Sequence, residues 1–131
     1  MSEFPAEFKY AKSHEWVEIQ GDGSALVGIT DHAQGLLGDL VFVETPEEGD
    51  EISQGDACAV VESVKAASDV YAPISGEVIS VNEDLEDAPE TINQRPHTDG
   101  WLFKMTVKDK TELDELMNVD EYKEFIESED H

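Results

Sequence analysis

The chain has 131 residues, of which 32 are acidic and 8 basic, so its formal charge is -24 at pH 7. A surface this negative repels phosphate backbones and anionic lipids, which excludes nucleic-acid binding and argues against membrane binding. Hydrophobic residues make up 39% of the chain, enough for a domain to build its own core. We therefore expect one domain, residues 10–131, after a loose leader, residues 1–9.

The N-terminal segment has no apolar stretch of the kind that secretory signals contain. No apolar run approaches the ~18 residues that a membrane span needs. The single cysteine, Cys58, cannot form an internal disulfide. These features predict a cytoplasmic protein, with the mitochondrial matrix as the alternative if a transit peptide is missing from this chain.

The first predicted elements are a hairpin, a short helix and a buried strand. Apolar residues alternate along both halves of residues 15–29, around a Gly-Asp-Gly turn. Residues 30–38 have the spacing of a helix with Asp31 as its N-cap and Gly38 at its end. The apolar run at residues 40–43 predicts a short buried strand.

An internal repeat follows, PEEGDEISQGD at residues 46–56 and PISGEVISVNE at residues 73–83. Each copy combines a Pro-x-x-Gly turn, a short strand and a second turn. Two copies are too few for a solenoid, so the repeat predicts a mainly β fold with two pseudo-symmetric sheets. The midpoint of the repeated region falls at Lys65, between predicted strands at residues 57–61 and 70–72. Lys65 is therefore expected at the tip of a hairpin near the pseudo-two-fold axis.

The C-terminal third predicts one more strand and a helical end. Residues 101–107 alternate, with Trp101 expected on the core face. Helical patterns cover about residues 111–127, where Asn118 followed by Glu121 has the spacing of a capping box.

Lys65 is the residue most suited to carry chemistry. It is the only basic residue between residues 53 and 94. A lone lysine at a hairpin tip suits covalent modification, because acylation of the amine removes its charge. The alternative is an unmodified, solvated turn lysine.

The sequence around Lys65 and several further segments resemble the glycine cleavage H-protein family, which are lipoyl carriers. The similar segments are YAKSHEW at 10–16, VGITDHAQ at 27–34, LGDLVFV at 37–43, ESVKAASDVYAPISGEV at 62–78, and Asn93 with Gly100 and Trp101. They occur in the family's order, and the resemblance covers roughly residues 8–126. The sequence departs from the pattern at residues 95–99, where the family more usually has an aromatic and small residues after the proline.

The resemblance implies a barrel-sandwich hybrid fold of the lipoyl/biotinyl type, with a short helix after the first hairpin and C-terminal helices. It implies lipoic acid joined to Lys65 by an amide, and a non-catalytic shuttle expected to be a monomer. The lipoyl arm would take an aminomethyl group from a pyridoxal-phosphate glycine decarboxylase to a tetrahydrofolate-dependent aminomethyltransferase. A dihydrolipoyl dehydrogenase would reoxidise the arm, and lipoate-attaching enzymes would load it.

The resemblance also suggests which other side chains serve the arm. Ser13, Glu15 and Asp69 are expected to form a holding site for the amine of the loaded arm. Glu62 and Asp69 are expected to help the lipoylating enzyme recognise the hairpin. The alternative is that these residues are surface polar groups or caps.

Four other interpretations have weaker support. A lipoyl or biotinyl carrier domain of another complex shares the hairpin, but a biotinyl lysine is usually flanked by methionines, and here the neighbours are Val64 and Ala66. A lipoate-relay protein is a further alternative. A Cys-His enzyme would need a reactive Cys58. The HEWVE run at residues 14–18 nearly matches a zinc-protease motif, but its last position is Glu18, so we expect no metal.

The acidic surface fits two interpretations. It steers a carrier toward several partners without forming tight complexes. It also fits adaptation to high salt, which screens the self-repulsion of the chain.

Overall fold

A computed structural model describes residues 4–129 of the chain. Two antiparallel sheets and five short helices follow the order given by these bounds: β1 Lys9–Tyr10, β2 Glu15–Ile19, β3 Ala25–Ile29, α1 Asp31–Leu37, β4 Leu40–Glu44, β5 Glu51–Ile52, β6 Ala57–Ser63, β7 Ala67–Tyr71, β8 Gly76–Val81, α2 Asp84–Asp87, α3 Thr91–Gln94, β9 Phe103–Met105, α4 Thr111–Asp114 and α5 Val119–Glu129. None of the helices in this part of the chain has the length and apolar character needed to span a membrane.

The two sheets enclose the main core. The larger sheet has the strand order β1-β2-β3-β9-β8-β5, and the smaller has the order β4-β6-β7. Alternate side chains of each strand point inward, and the buried core cluster contains Val17 and Val27 of the larger sheet and Val61 and Val70 of the smaller. The mainly β, two-sheet architecture predicted from the sequence is confirmed.

The predicted hairpin at residues 15–29 is also confirmed. Strands β2 and β3 pair with Val17 opposite Val27. Gly23 has φ +88° in the turn, a conformation that suits glycine because it has no Cβ.

A second cluster of buried rings lies on the outer face of this hairpin. This aromatic cluster consists of Phe8, Tyr10, Trp16 and Tyr122. Phe8 stacks on Trp16 at 4.7 Å between ring centroids, and Tyr10 stacks on Tyr122 at 4.7 Å. Phe4 packs edge-on against Tyr122. Phe4 and Phe8 of the predicted leader are therefore packed rather than loose, while Ala6 and Glu7 are exposed. Residues 1–3 lie outside the described residues.

The N-cap of helix α1 lies one residue earlier than predicted. Thr30 is the N-cap, and its hydroxyl accepts a hydrogen bond from Ala33 N at 3.2 Å. Asp31 is the first helical residue, and its carboxylate accepts from Gln34 Nε2 at 2.8 Å. The prediction of Asp31 as N-cap is wrong, because the hydroxyl one position earlier reaches the free amide.

Strand β4 is only partly buried. Leu40 and Val43 lie in the core, but Val41 is 56% exposed and Phe42 is 49% exposed. An irregularity in the pairing with β6 falls between Leu40 and Phe42 and breaks the alternation. The predicted strand is present, and its predicted full burial is wrong.

The two repeat copies meet in the larger sheet. Strand β5 of the first copy pairs with β8 of the second, with Glu51 opposite Glu77. The copies differ at their second turns. Gly55 has φ +91°, whereas Asn82 uses its side chain, which donates to Asp99 O at 2.9 Å and Trp101 O at 2.8 Å.

The last strand, β9, covers only Phe103–Met105, so it is shorter than the predicted range of residues 101–107. Phe103 and Leu102 are fully buried, while Trp101 is half-buried at the edge of the aromatic cluster. The expected core position of Trp101 is wrong.

The helical C-terminal end is tied to β1. Asn118 and Glu121 form the predicted capping box, with both side-chain to backbone bonds at 2.9 Å. Tyr10 and Met117 exchange two backbone hydrogen bonds of 2.8 Å. The carboxylate of Asp109 accepts hydrogen bonds from the backbone N–H and the hydroxyl of Thr111, the first residue of α4.

Candidate functional site

Lys65 lies at the tip of the hairpin formed by β6 and β7. The strands pair with Val61 opposite Ser68 and Glu62 opposite Ala67. This register is centred between Val64 and Lys65, where the repeat predicted the turn. Residues 64–66, called here the lysine tip, protrude beyond the last pair, and Lys65 is exposed.

Ser63 fixes the shape of the lysine tip. Its hydroxyl accepts hydrogen bonds from Lys65 N and Ala66 N, each at 3.1 Å. Its backbone N–H donates to Ala66 O at 2.8 Å. These bonds satisfy the donors of a sharp turn locally and so stabilise the shape of the tip, on which Lys65 is exposed. These bonds were not predicted from the sequence, although a serine two residues before the lysine is the sequence signal for them.

Residues 38–40, called here the α1–β4 junction, lie against the lysine tip. Asp39 O accepts a hydrogen bond from Val64 N at 3.1 Å. Gly38, with φ +86°, packs against the lysine stem, since a Cβ added there would lie 3.3 Å from Lys65 Cε. A side chain at Gly38 would therefore crowd Lys65 as well as strain its own backbone.

Glu15 is buried although it is charged. It is 1% exposed, and one carboxylate oxygen accepts a hydrogen bond from the Ser13 hydroxyl. The other oxygen accepts from the backbone N–H of Tyr71 at 3.2 Å. Burial raises the pKa of Glu15 above its ordinary value of 4.5, and the bonds from Ser13 and Tyr71 oppose the rise. Glu15 thus joins the start of β2 to the end of β7.

A shallow cavity of about 240 Å³ opens beside this contact. Ser13 and Tyr71 line it, together with Tyr10, Gln54, Pro73 and Leu116. Because Ser13 and Tyr71 both bond to Glu15, the carboxylate lies immediately behind the cavity wall.

Asp69 is exposed on β7, two residues before Tyr71 and four after Lys65. Two residues of strand span about 7 Å. Within residues 4–129, no hydrogen bond joins the Asp69 side chain to Ser13 or Glu15. The fold therefore brings Ser13 and Glu15 into contact and leaves Asp69 nearby on the strand surface.

Glu62 lies on the opposite strand of the hairpin and is also exposed. It pairs with Ala67 across the hairpin and with Phe42 of β4. Glu62 and Asp69 therefore flank the lysine tip from its two strands.

Cys58 does not have the surroundings of a nucleophile. It is half-buried, and burial, followed by the charge of Glu15, raises the pKa of its thiol to about 12. A reactive cysteine needs a lowered pKa, so a Cys-His enzyme is disfavoured. The described residues contain no group of three or more His, Cys, Asp or Glu side chains placed to bind a metal.

The loop at residues 95–99 contacts the start of α1 and the side chain of Trp16. His97 Nε2 accepts a hydrogen bond from Asp31 N at 3.1 Å, at the start of α1. Pro96 O accepts from Trp16 Nε1 at 2.9 Å. The part of the sequence that departs from the family pattern therefore links α1 to the aromatic cluster.

Two sheets packed as a sandwich, with one exposed lysine at a hairpin tip, are the architecture of a lipoyl- or biotinyl-type carrier. Residues 8–129 match the family model described as glycine cleavage H-protein. The chain therefore belongs to the glycine cleavage H-protein family, and it is a lipoyl-carrier component of the glycine cleavage system.

Individual relatives are similar in sequence to this chain over nearly its whole length. The glycine cleavage system H protein of Pseudoalteromonas translucida is 59% identical over 127 residues, which are 97% of this chain and 98% of the relative. That of Pectobacterium atrosepticum is 58% identical over 130 residues, which are 99% of this chain and 100% of the relative. The crystal structure of the H protein from Mycobacterium marinum matches with a TM-score of 0.80 and 40% identity, covering 91% of this chain and 95% of that one.

Proposed function

We propose that Lys65 carries the lipoyl group as an amide on Nζ, and that residues 10–131 act as one non-catalytic carrier domain. The observation that carries this proposal is the exposed Lys65 on a tip whose backbone is fixed by Ser63. An acylating enzyme must surround the amine, and a protruding turn allows this. In the described part of the chain, no carboxylate forms an ion pair with Lys65, so its amine is accessible.

The attached group would supply a dithiolane able to carry the aminomethyl group of glycine. Glycine decarboxylase, aminomethyltransferase and dihydrolipoyl dehydrogenase would act on it in turn. The task of this chain is to present the lysine and to hold the arm between encounters. The acidic surface would steer encounters with these partners, and we expect the carrier to act as a monomer in the cytoplasm.

Ser13, Glu15 and Asp69 are proposed to hold the amine end of the loaded arm. The cavity beside Ser13 gives space for the end of the arm. A cation there would lie close to the buried carboxylate of Glu15, where the low dielectric strengthens the attraction. Asp69, exposed between the lysine tip and this cavity, would add a second negative charge along the path of the arm.

Glu62 and Asp69 are proposed to identify the hairpin to lipoate-attaching enzymes. They lie on opposite strands, within four residues of the lysine, and both are exposed. Because charges this exposed act mainly on encounter, replacing either with its amide should slow loading rather than abolish it.

Lipoate attachment is tested by intact mass. The purified chain, incubated with lipoate, ATP and a lipoate-attaching enzyme, should gain one lipoyl amide. Lys65→Arg should gain none, because guanidinium is not acylated under these conditions. A gain of mass by Lys65→Arg, or none by the native chain, would overturn the assignment.

The holding site is tested on the isolated, loaded carrier with no partner present. Glu15→Gln and Asp69→Asn should each release ammonia several-fold faster than the native chain, because the amine end spends more time in water. Glu18→Gln, which removes a charge from the same strand as Glu15, is the matched control. Equal rates for all four chains would remove these carboxylates from the holding role.

A further inference from the structure

The side chain of Asn93 connects three parts of the chain that meet near Lys65. Asn93 lies on α3, and its Nδ2 donates to Gly38 O and to Gln34 Oε1, each at 2.9 Å. Its Oδ1 accepts from Leu40 N at 2.9 Å. A backbone carbonyl can only accept and a backbone N–H can only donate, so these bonds fix the orientation of the amide. The side chain therefore bridges both ends of the α1–β4 junction.

The α1–β4 junction in turn contacts the hairpin at three places. Gly38 packs against the stem of Lys65. Asp39 O accepts from Val64 N at 3.1 Å. Leu40 lies opposite Ser63 in the ladder between β4 and β6. A change in the junction would therefore move the surface on which the lysine lies and loosen the first amide of the lysine tip.

We propose that Asn93 is a positioning residue for Lys65: it holds the α1–β4 junction in the one conformation that orients the lysine tip for acylation. This inference rests on the proposed lipoylation of Lys65. Among the described residues the hydrogen bonds of the Asn93 side chain go to Gln34, Gly38 and Leu40 and not to Lys65, so Asn93 acts on the lysine through the α1–β4 junction. The junction contains a left-handed glycine, a conformation that needs outside support because glycine has the most backbone freedom to lose.

The decisive variant is Asn93→Asp. It keeps the size of the side chain and the acceptor for Leu40 N, but it replaces the two donors with an acceptor facing Gly38 O and Gln34 Oε1. Oxygens that face each other repel, so the junction should open. The lipoylating enzyme would then meet an oriented tip in only a fraction of the molecules. An affinity that depends on a minor conformation falls by the fraction populated, so KM should rise about tenfold while kcat stays within twofold.

Asn82→Asp is the matched control. Asn82 is buried and also donates two hydrogen bonds to backbone carbonyls, but these belong to Asp99 and Trp101 rather than to the α1–β4 junction. The same substitution there should destabilise the fold to a similar extent and leave the KM for lipoylation within twofold of the native value. A merely structural role for Asn93 would give the two variants the same kinetics.

Hydrogen exchange at the Val64 amide gives a second readout that needs no enzyme. Its bond to Asp39 O joins the lysine tip to the junction. Exchange should be at least about fivefold faster in Asn93→Asp and unchanged in Asn82→Asp. If Asn93→Asp does not fold, Gln34→Met replaces it. It removes one of the two acceptors of the Asn93 amide, together with the bond from Gln34 Nε2 to Asp31, and should raise KM two- to threefold.

The outcomes separate this inference from the proposed function. A native chain that gains no lipoyl group, or gains it elsewhere than Lys65, overturns both. A native chain modified at Lys65, with equal KM for Asn93→Asp and Asn82→Asp, overturns the positioning role alone. The positioning role is also overturned if hydrogen exchange at the Val64 amide is unchanged in Asn93→Asp. It is likewise overturned if both KM and this exchange rate are unchanged in Gln34→Met.

Discussion

Replacing Glu15 with glutamine should stabilise the protein at neutral pH. The native carboxylate is almost wholly buried, and burial raises its pKa above 4.5. The folded state therefore binds this proton more tightly than the unfolded state does. The contribution of Glu15 to the free energy of unfolding is highest at low pH. It falls as the pH rises from the ordinary pKa of 4.5 through the raised pKa of the folded state, and it is constant at higher pH.

The size of the effect follows from what glutamine can keep. Its Oε1 can accept from Tyr71 N, and its Nε2 can donate to the Ser13 hydroxyl, so both present partners remain bonded. The desolvation of an ionised carboxylate is removed, while charge-assisted bonds worth about 1.5–3 kcal/mol become ordinary ones. We expect Glu15→Gln to gain about 1 kcal/mol at pH 8, a rise of about 3–5 °C in Tm for a domain of this size.

Urea unfolding followed by tryptophan fluorescence between pH 5 and 8.5 measures this difference. The advantage of Glu15→Gln over the native chain should shrink as the pH falls through the raised pKa of Glu15, because the native carboxyl takes up its proton there. Glu18→Gln, on the same strand, removes the same charge from a partly exposed position and controls for the relief of general repulsion. The reasoning is refuted if Glu15→Gln is less stable than the native chain at pH 8, or if its pH dependence equals that of Glu18→Gln.

Four further predictions concern the core and the exposed tip. Lys65→Ala should change the free energy of unfolding by less than ~0.5 kcal/mol, since the side chain is exposed; a larger loss in urea unfolding would mean that its packing on the junction stabilises the fold. Trp16→Ala should cost ~3–5 kcal/mol and Trp101→Ala clearly less, because only Trp16 is fully buried; the reverse order would contradict the described core. Gly28→Ala should cost ~1–3 kcal/mol, because its Cβ would lie 2.6 Å from the Trp16 ring, and native-like stability would show that the ring can move. A thiol reagent should label Cys58 slowly in the native state and quickly in urea, and fast native labelling would reopen the nucleophile interpretation.

The elements that the sequence predicted well depend on local signals. The hairpin at residues 15–29 follows from alternation and a glycine turn, and the capping box at Asn118 follows from a spacing of three residues. The position of Lys65 follows from the symmetry of the repeat, which the register of β6 and β7 reproduces. In each case the residues that decide the structure are neighbours in the chain.

The failures occur where distant contacts decide. Trp101 begins an alternating segment, but it lies half-buried at the edge of the aromatic cluster, whose buried rings come from distant parts of the chain. Val41 and Phe42 have the apolar character of core residues in the sequence. In the structure an irregularity in the pairing with β6 turns them outward. The burial of Glu15 needs an amide 56 residues away, and no periodicity in the sequence encodes that contact.

The buried charge of Glu15 connects stability with the proposed holding role. If Glu15→Gln stabilises the fold at neutral pH, packing does not explain the native carboxylate, because glutamine fits the same partners. A cation entering the cavity beside Ser13 would favour the ionised form of Glu15 and lower its pKa. By linkage, the cation must then bind more tightly as the pH rises through the raised pKa of the free site. Protonation of Glu15 would therefore affect two quantities, the stability of the protein with an empty site and the affinity of that site for an amine. Glu15→Gln should abolish the pH dependence of both.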